Sequence, residues 1–365
     1  MSIHSNKKFL TIGAIALVII VAIGIGAYIG KTKVGSPAEL VLKQDGAAGT
    51  STQVSAGKTG TDEQNLIPIK TYTRKNCTST PVLVADAKGF FKEQGLKLVF
   101  TGELKSTEIL PSVLNGNNDF AETHPNALAT YKAGGATIKA VGRAIIEPGP
   151  EVDSKFRHMR WFVKADSGVK SWKDLVEYKK GRKLNHNGLA PNCTTFVAST
   201  IFDKYGIGRD RLNFINFDTD QAALQALEQG NIDIACVHPP FYKLAEDSGL
   251  TLIGDSSDAG LGEAAGLYLY YFTEDFIEKK PDIVQRFAKA MQKSQVWANS
   301  NTDEAARITA DFIGSNGNAS HWYAASTVMD EDQIKPWVND LVVNGKLKEG
   351  QVSISDLLTH KFEVK

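Results

Sequence analysis

The hydrophobic pattern after residue 65 alternates short apolar runs with helical stretches. Runs rich in β-branched and aromatic residues are typical of strands, whereas stretches with Pro in the first turn and Gly after the end are typical of helices. The predicted strands are Ile67–Tyr72, Leu96–Thr101, Asp119–Glu122, Ile138–Arg143, Arg160–Lys164, Lys183–Asn187, Leu212–Phe217, Asp233–Val237 and Leu267–Thr273. The predicted helices are Pro81–Gln94, Thr107–Asn115, Asn126–Ala133, Cys193–Tyr205, Gln221–Gln229, Pro240–Glu246 and Pro281–Ala298. This alternation predicts an α/β fold with parallel sheets covered on both faces.

The pattern also repeats along the chain. The ten residues that end in His124-Pro125 resemble the ten that end in His238-Pro239, 114 positions later. The tetrapeptide that begins at Asn76 resembles the one that begins at Asn192, 116 positions later. Two separate motifs at similar offsets predict a twofold structural repeat.

The N-terminus carries a long apolar segment. Lys7 and Lys8 precede Phe9–Gly30, which contains no charged residue over 22 positions. The apolar region of a signal peptide has about 7–15 residues and a membrane-spanning helix needs about 20, so the length favours an uncleaved anchor and leaves a cleaved signal peptide open. Residues 1–30 are therefore predicted to be a signal peptide or membrane anchor that exports the chain. Residues 31–65, which are small and polar, are predicted to be a flexible linker.

The composition and the absence of certain motifs limit the classes of function to consider. With 42% hydrophobic and 22% charged residues, the chain has the composition of an ordinary globular protein. Its 41 basic and 41 acidic residues cancel, and no basic run is present, which argues against nucleic-acid binding. Three cysteines cannot form a disulfide framework. No nucleophile-elbow, P-loop or post-strand dinucleotide motif is present, which excludes three common enzyme classes.

Three stretches resemble a known family. They are Ala87–Leu96, with its large aromatic residues and Glu-x-Gly-Leu ending, Ser171–Leu184, with Ser-x-x-Asp-Leu and Gly-Arg-Lys-Leu, and the Gly-x-x-Asp turn Gly230–Asp233. Together they resemble the nitrate/sulfonate/taurine-type, thiamin-precursor-like substrate-binding proteins of ABC transporters. The resemblance extends over residues 66–310. It implies a two-lobed type II periplasmic-binding-protein fold with the ligand cleft between the lobes.

The resemblance also implies an organisation and a role. Lobe 1 would comprise residues 66–163 and 259–365, and lobe 2 residues 164–258. The protein would be a monomeric, non-enzymatic solute-binding component outside the cytoplasm, with a small molecule or anion as ligand and an ABC permease and its ATPase as partners. Two alternatives remain: an enzyme related to the pyrimidine-precursor synthases of thiamin biosynthesis, which share the fold, and an exported metal-binding or sensory module.

Candidate ligand-binding residues lie on four loops. In open α/β sheets, ligands bind beyond the carboxyl ends of the strands, which selects residues 74–80, 123–125, 189–195 and 237–240. The candidates are Asn76, Cys77, Thr78, Ser79, Thr123, His124, Asn192, Cys193, Thr194, Thr195 and His238. N–H groups at the two helix starts could bind an anionic group, and the alternative is simple capping by Asn, Ser or Thr.

Four of these candidates could hold a metal ion. Cys77, His124, Cys193 and His238 recur at the repeat offsets, and two thiols with two imidazoles suit Zn²⁺ or another soft or borderline ion. The alternatives are that these side chains contact an organic or oxyanion ligand, or no ligand.

Other residues are assigned more weakly. Arg74 and Arg143 lie near predicted strand ends and could pair with an anionic ligand. His158, His321 and His360 are expected at the surface or in local packing.

Overall fold

A computed structural model describes residues 65–314 and 321–365. The predictions of a signal peptide or anchor at residues 1–30, and of a linker up to residue 64, lie outside the described residues. None of the helices formed by the described residues has the length and apolar character that a bilayer crossing requires.

The described chain contains the predicted strands in the predicted order, and it has one further strand, Thr251–Asp255, that was not predicted. The strands are β1 (Ile67–Thr73), β2 (Leu96–Glu103), β3 (Phe120–Thr123), β4 (Ile138–Arg143), β5 (Arg160–Val163), β6 (Leu184–Asn187), β7 (Leu212–Ile215), β8 (Ala235–Val237), β9 (Thr251–Asp255) and β10 (Leu269–Thr273). The helices are α1 (Thr80–Ala87), α2 (Phe90–Glu93), α3 (Ser106–Leu114), α4 (Pro125–Ala133), α5 (Cys193–Lys204), α6 (Asp220–Glu228), α7 (Tyr242–Asp247), α8 (Glu274–Lys279), α9 (Pro281–Ser300), α10 (Thr302–Ile313), α11 (Glu331–Val343) and α12 (Ile354–Leu357).

The strands form two groups. In the first group β1 pairs with β2 in parallel, and β10 lies antiparallel between β3 and β4. In the second group β6 pairs with β7 in parallel, and β5 lies antiparallel between β8 and β9. The prediction of parallel sheets is therefore correct for the pairs β1–β2 and β6–β7, and wrong for the central strands β5 and β10. β5 pairs within the second group although it precedes residue 164, and the lobe boundaries stay a prediction.

The antiparallel central strands decide which loops meet. Leu269 of β10 pairs with Thr123 of β3, and Arg160 of β5 pairs with Val237 of β8. The chain just before β10 therefore lies beside the loop after β3, and the chain just before β5 lies beside the loop after β8. Both of these loops begin with the His-Pro dipeptides of the repeat.

One hydrophobic core connects the two strand groups. It includes Ala121 of the first group, Trp161 of the second and Trp337 of α11, each fully buried. Phe196 of α5 packs on Trp337 with 4.2 Å between ring centroids. Burial of large aromatic side chains is among the strongest contributions to stability, so α11 helps to hold the groups together.

Two chain segments, residues 144–159 and 256–268, connect the groups, and Glu147 joins them. Its Oε2 accepts hydrogen bonds from the backbone N–H of His158 at 3.1 Å and from the Ser256 hydroxyl at 2.6 Å. The buried Arg157 guanidinium lies 3.5 Å from Glu147 Oε1. A buried carboxylate that satisfies three donors fixes the relative position of both segments.

The helix predictions differ from the structure in three places, one of which is α8, where no helix was predicted. The predicted helix Pro81–Gln94 is interrupted between α1 and α2, because Gly89 adopts a left-handed conformation with φ of 74° that ends a helix. Helices α10 to α12 lie after residue 298, where no helix was predicted from the sequence.

Candidate functional site

A cavity of about 380 Å³ is lined by residues from both strand groups. Cys77, His124, Cys193 and His238 all line it, so the four loops selected from the sequence face one space. Pockets of about 300–1,000 Å³ are typical of small-molecule sites.

The two Asn residues cap the two helix starts. Asn76 Oδ1 accepts a hydrogen bond from Thr78 N at 3.0 Å, and Asn192 Oδ1 accepts one from Thr195 N at 3.0 Å. The capping alternative is therefore observed at both sites. In α5 the cap uses the third N–H, and the earlier N–H groups of Cys193 and Thr194, on the cavity wall, are not bonded to Asn192. Anion binding there stays a prediction.

Cys193 belongs to a thiol–imidazole–carboxylate chain. Its Sγ lies 3.5 Å from His238 Nε2, and His238 Nδ1 lies 2.9 Å from Asp220 Oδ2. Burial alone would lower the pKa of His238, but the Asp220 carboxylate and Cys193 raise it to about 10. Burial alone would raise the pKa of Cys193, but the surrounding imidazoles of His124, His158 and His238 hold it well below its ordinary value. The pair is therefore a thiolate beside an imidazolium.

Cys77 has a different partner. Its Sγ lies 2.8 Å from Nε2 of His321, a buried residue just after residues 315–320. Burial raises the pKa of the Cys77 thiol and lowers the pKa of His321 well below its ordinary range. Both groups are neutral near pH 7, so the two cysteines of the repeat differ in charge.

His124 is held on two sides. Its Nδ1 lies 2.8 Å from the carbonyl oxygen of Leu267, just before β10, and its ring stacks on Trp337 at 5.1 Å between centroids and 10° between planes. A carbonyl oxygen only accepts hydrogen bonds, so Nδ1 carries the proton in the neutral ring. The other ring nitrogen, Nε2, is left to interact with the Cys193 thiol.

His158, just before β5, lies at the centre of the cluster. Its side chain is 1% exposed, and its ring centroid lies 5.7 Å from that of His124, 5.4 Å from that of His238 and 4.9 Å from that of His321. Neither ring nitrogen has a hydrogen bond of good geometry to the described residues. Burial lowers the pKa of His158 to about 4, so the ring is neutral near pH 7.

The predicted four-residue metal set is not the tightest group of donor atoms. His124, His158 and Cys193 each offer one ligand atom, and these three atoms lie within 4.8 Å of one another. His238 is hydrogen-bonded to Asp220, and Cys77 contacts His321.

Arg74 supplies a half-buried positive charge at the cavity wall. Its guanidinium donates to the Tyr72 hydroxyl at 3.1 Å and also contacts the Tyr268 hydroxyl. Burial alone would lower the pKa of Arg74, but Tyr268, Tyr72 and Glu122 raise it well above its ordinary value. Arg143 instead bonds Glu263 at 2.7 Å and does not line this cavity, so the structure provides no support for a role in ligand pairing there.

The remaining sequence candidates are distributed unevenly. Asn76, Thr78, Asn192 and Thr194 line the cavity, whereas Ser79, Thr123 and Thr195 are buried without lining it. His158 and His321 were expected at the surface or in local packing. The surface alternative is wrong for both, because both are buried and their rings pack together with 4.9 Å between centroids.

Asp220 was not among the candidates, although its loop follows β7. The same strand-end rule that selected the other loops would have selected this one. No such signal exists for His158, because it precedes its strand.

Comparison with known proteins identifies relatives of this chain. The sequence profile of the NMT1/THI5-like family matches residues 76–305. A Bacillus subtilis (strain 168) protein named for the binding of aliphatic sulfonates is 25% identical over 241 residues, which cover 64% of this chain and 66% of that protein. A 4-amino-5-hydroxymethyl-2-methylpyrimidine phosphate synthase of Legionella pneumophila is 21% identical over 62% of this chain and 67% of the enzyme. The chain thus spans about two thirds of each of these relatives.

A solved structure has the same fold. The periplasmic aliphatic sulphonate binding protein of Escherichia coli superimposes with a TM-score of 0.62 at 17% identity, over 81% of this chain and 92% of that protein. The similarity at this identity concerns the fold alone. The fold predicted from the sequence is confirmed: this chain is a member of the NMT1/THI5-like family and has the α/β fold of periplasmic binding proteins.

Proposed function

We propose that this protein is the extracytoplasmic solute-binding component of an ABC importer. The observation that carries the proposal is the single cavity to which both strand groups contribute a capped helix start, at Asn76 and at Asn192. A site divided between two strand groups is complete only when they are close together, so a solute stabilises the closed state and shifts the population toward it. A permease that recognises the closed state would then receive loaded protein.

Small organic anions with a sulfonate group are the first class of solute to test. Arg74 provides a fixed positive charge, and the N–H groups of Cys193 and Thr194 provide donors at a helix N-terminus, which favours negative charge. Two of the relatives described above are named for the binding of aliphatic sulfonates. The cavity volume of about 380 Å³ suits a small organic molecule.

The test is calorimetry and thermal unfolding of the reduced, metal-depleted full chain with methanesulfonate, taurine and a buffer sulfonate. Sulfate and nitrate serve as anions without a carbon chain. Thr194→Val should weaken binding by about 2- to 13-fold, the equivalent of one hydrogen bond. Thr200→Val, in the same helix but away from the cavity, is the matched control. Failure of all sulfonates to bind would contradict the solute class.

A separate experiment tests whether the two strand groups close on the solute. Asn126 Nδ2 donates to the Asn192 carbonyl at 3.1 Å, and Arg209 pairs with Asp340, so the described conformation already contains contacts between distant parts of the chain. Small-angle scattering with the bound sulfonate should match this compact form. An unchanged scattering curve between free and saturated protein would count against closure.

A second candidate function, nucleophilic catalysis, is favoured by the Cys193–His238–Asp220 chain. A thiol with an imidazole and an orienting carboxylate is an arrangement that activates cysteine nucleophiles. Mass spectrometry separates the two functions. A binding protein releases the sulfonate unchanged, whereas an enzyme forms a Cys193 adduct or a new product that Cys193→Ser abolishes.

A further inference from the structure

Three donor side chains converge on one wall of the cavity from three separate parts of the chain. His124 follows β3, His158 precedes β5 and Cys193 begins α5, and all three are buried. Their candidate ligand atoms lie within 4.8 Å of one another. With bonds of about 2.0–2.1 Å to nitrogen and about 2.3 Å to sulfur, a tetrahedral ion needs its ligand atoms about 3.3–3.6 Å apart. Small side-chain rotations are therefore enough to close the site.

The orientation of His124 is that of a metal ligand. Histidines that bind a metal through one nitrogen commonly donate the other N–H to a carbonyl or carboxylate, which fixes the tautomer and the ring. His124 Nδ1 meets the Leu267 carbonyl at 2.8 Å, and Trp337 stacks on the ring. Nε2 is left on the side of Cys193, within reach of the other two donor atoms.

His158 is the independent observation. Buried polar groups are normally hydrogen-bonded, and a buried group without a partner needs an explanation. His158 is 1% exposed, its ring nitrogens have no hydrogen bond of good geometry to the described residues, and the polar group that interacts with its ring is the Cys193 thiol. A metal ion bound to one nitrogen would satisfy that nitrogen.

The third donor is a sulfur ligand, which decides the class of metal ion. Thiolate and imidazole ligands select Zn²⁺ and Cu⁺ over Mg²⁺ and Ca²⁺, which prefer oxygen. Cys193 Sγ lies beside the His238 imidazole, whose other nitrogen is held by Asp220, so the thiolate already has an oriented neighbour on its far side. Three protein ligands leave a fourth position open, as in metal sites that bind an exogenous group.

We propose that His124, His158 and Cys193 bind one soft or borderline metal ion, Zn²⁺ or Cu⁺, with an open coordination position toward the cavity. This set replaces the Cys77–His124–Cys193–His238 set predicted from the sequence. The proposal that this ion binds does not depend on the proposed solute-binding function. Only the further role of the open position, to accept a donor atom of the solute, rests on that function.

The experiment uses the reduced full chain, stripped of metal and titrated with Zn²⁺ and with Cu⁺ against a chromophoric competitor. One ion should bind per chain. Co²⁺, as a spectroscopic probe for Zn²⁺, should give a thiolate-to-metal charge-transfer band with ligand-field bands of a four-coordinate site. His158→Gln and Cys193→Ser should each weaken binding at least 100-fold, and Cys193→Ser should abolish the charge-transfer band.

The controls separate this site from its neighbours. Cys236→Ser and His186→Gln remove a buried thiol and a buried imidazole outside the three-residue group and should leave affinity unchanged. Cys77→Ser should keep the charge-transfer band, whereas its loss would favour the sequence-derived set over the proposed one. Binding of less than one ion, or equal binding by wild type, His158→Gln and Cys193→Ser, would overturn the proposal.

A measurement on the wild type keeps the test decisive if a variant does not fold. Alkylation with iodoacetamide, followed by peptide mass spectrometry, should be slowed by Zn²⁺ at Cys193 at least tenfold. Cys236 should be unaffected. Equal rates at Cys193 with and without Zn²⁺ would refute the site. Because solute binding is measured on metal-depleted protein, failure of either proposal is visible without the other.

Discussion

Acid should destabilise the protein through His186, which is buried in β6 away from the cavity. Trp161 Nε1 donates to its Nε2 at 2.8 Å, and its Nδ1 contacts the Asn187 carbonyl. The neutral ring satisfies both contacts, whereas the charged ring would lose the Trp161 bond. Burial lowers the pKa of His186 to about 4, against an ordinary value of 6.5.

The sign and the size of this change in the free energy of unfolding follow from proton linkage. The unfolded chain binds the proton more tightly, so the free energy of unfolding falls as the pH drops through 6.5 toward 4. With a pKa of about 4 in the folded state, the loss due to His186 is about 0.2 kcal/mol at pH 7, about 1.4 kcal/mol at pH 5.5 and about 2.6 kcal/mol at pH 4.5.

Urea unfolding, followed by tryptophan fluorescence at pH 7 and pH 4.5, measures this effect. His186→Gln keeps a side chain that can accept from Trp161 and removes the titration. The wild type should lose about 2.4 kcal/mol more than His186→Gln over this range. His360→Gln, which removes an exposed imidazole, controls for the change in composition. If wild type and His186→Gln lose the same free energy of unfolding, the linkage argument is wrong.

Three further predictions test other contacts. Glu147→Ala should lower the free energy of unfolding in urea by about 3–5 kcal/mol because it leaves the buried Arg157 with only the more distant Asp255 carboxylate, at 3.9 Å, and Glu147→Gln should cost clearly less; equal losses would contradict the ion-pair reasoning. Asn192→Ala should cost about 1 kcal/mol in thermal unfolding through loss of the α5 cap, which Asn192→Ser should largely restore. Arg209→Ala should expand the solute-free protein in small-angle scattering because its pair with α11 is lost, whereas Lys243→Ala, which breaks an exposed pair within α7, should not.

The sequence predicted most strands within two residues because their apolar runs are bounded by Gly, Pro and polar residues. The direction of β5 and β10 was not predictable in this way. Both are short apolar runs that look like parallel strands of an alternating fold, and only the tertiary pairing reverses them. The break at Gly89 was a missed local signal, because a glycine inside a helical run can end it.

The same limit explains which residues of the site could be predicted from the sequence. The strand-end rule correctly placed four side chains at one cavity. Two of them, Cys77 and Cys193, follow β1 and β6 of the parallel pairs, and the other two, His124 and His238, follow β3 and β8. His158 reaches the cavity from the opposite end of an antiparallel strand, for which that rule gives the wrong edge. Only its burial, and the lack of a well-aligned hydrogen bond to its nitrogens within the part of the chain that the structure describes, single it out as a candidate.

The position of β10 has a consequence for how the chain must be made. β10 is the shared partner of β3 and β4, yet 126 positions separate Arg143 at the end of β4 from Leu269 at the start of β10. At about 5–20 residues per second, a ribosome needs about 6–25 s to synthesise that interval. During this time β3 and β4 present unpaired backbone edges, and Phe120 has no Phe272 ring beside it. The first strand group therefore cannot complete its pairing in the order of its synthesis, because its central strand arrives last.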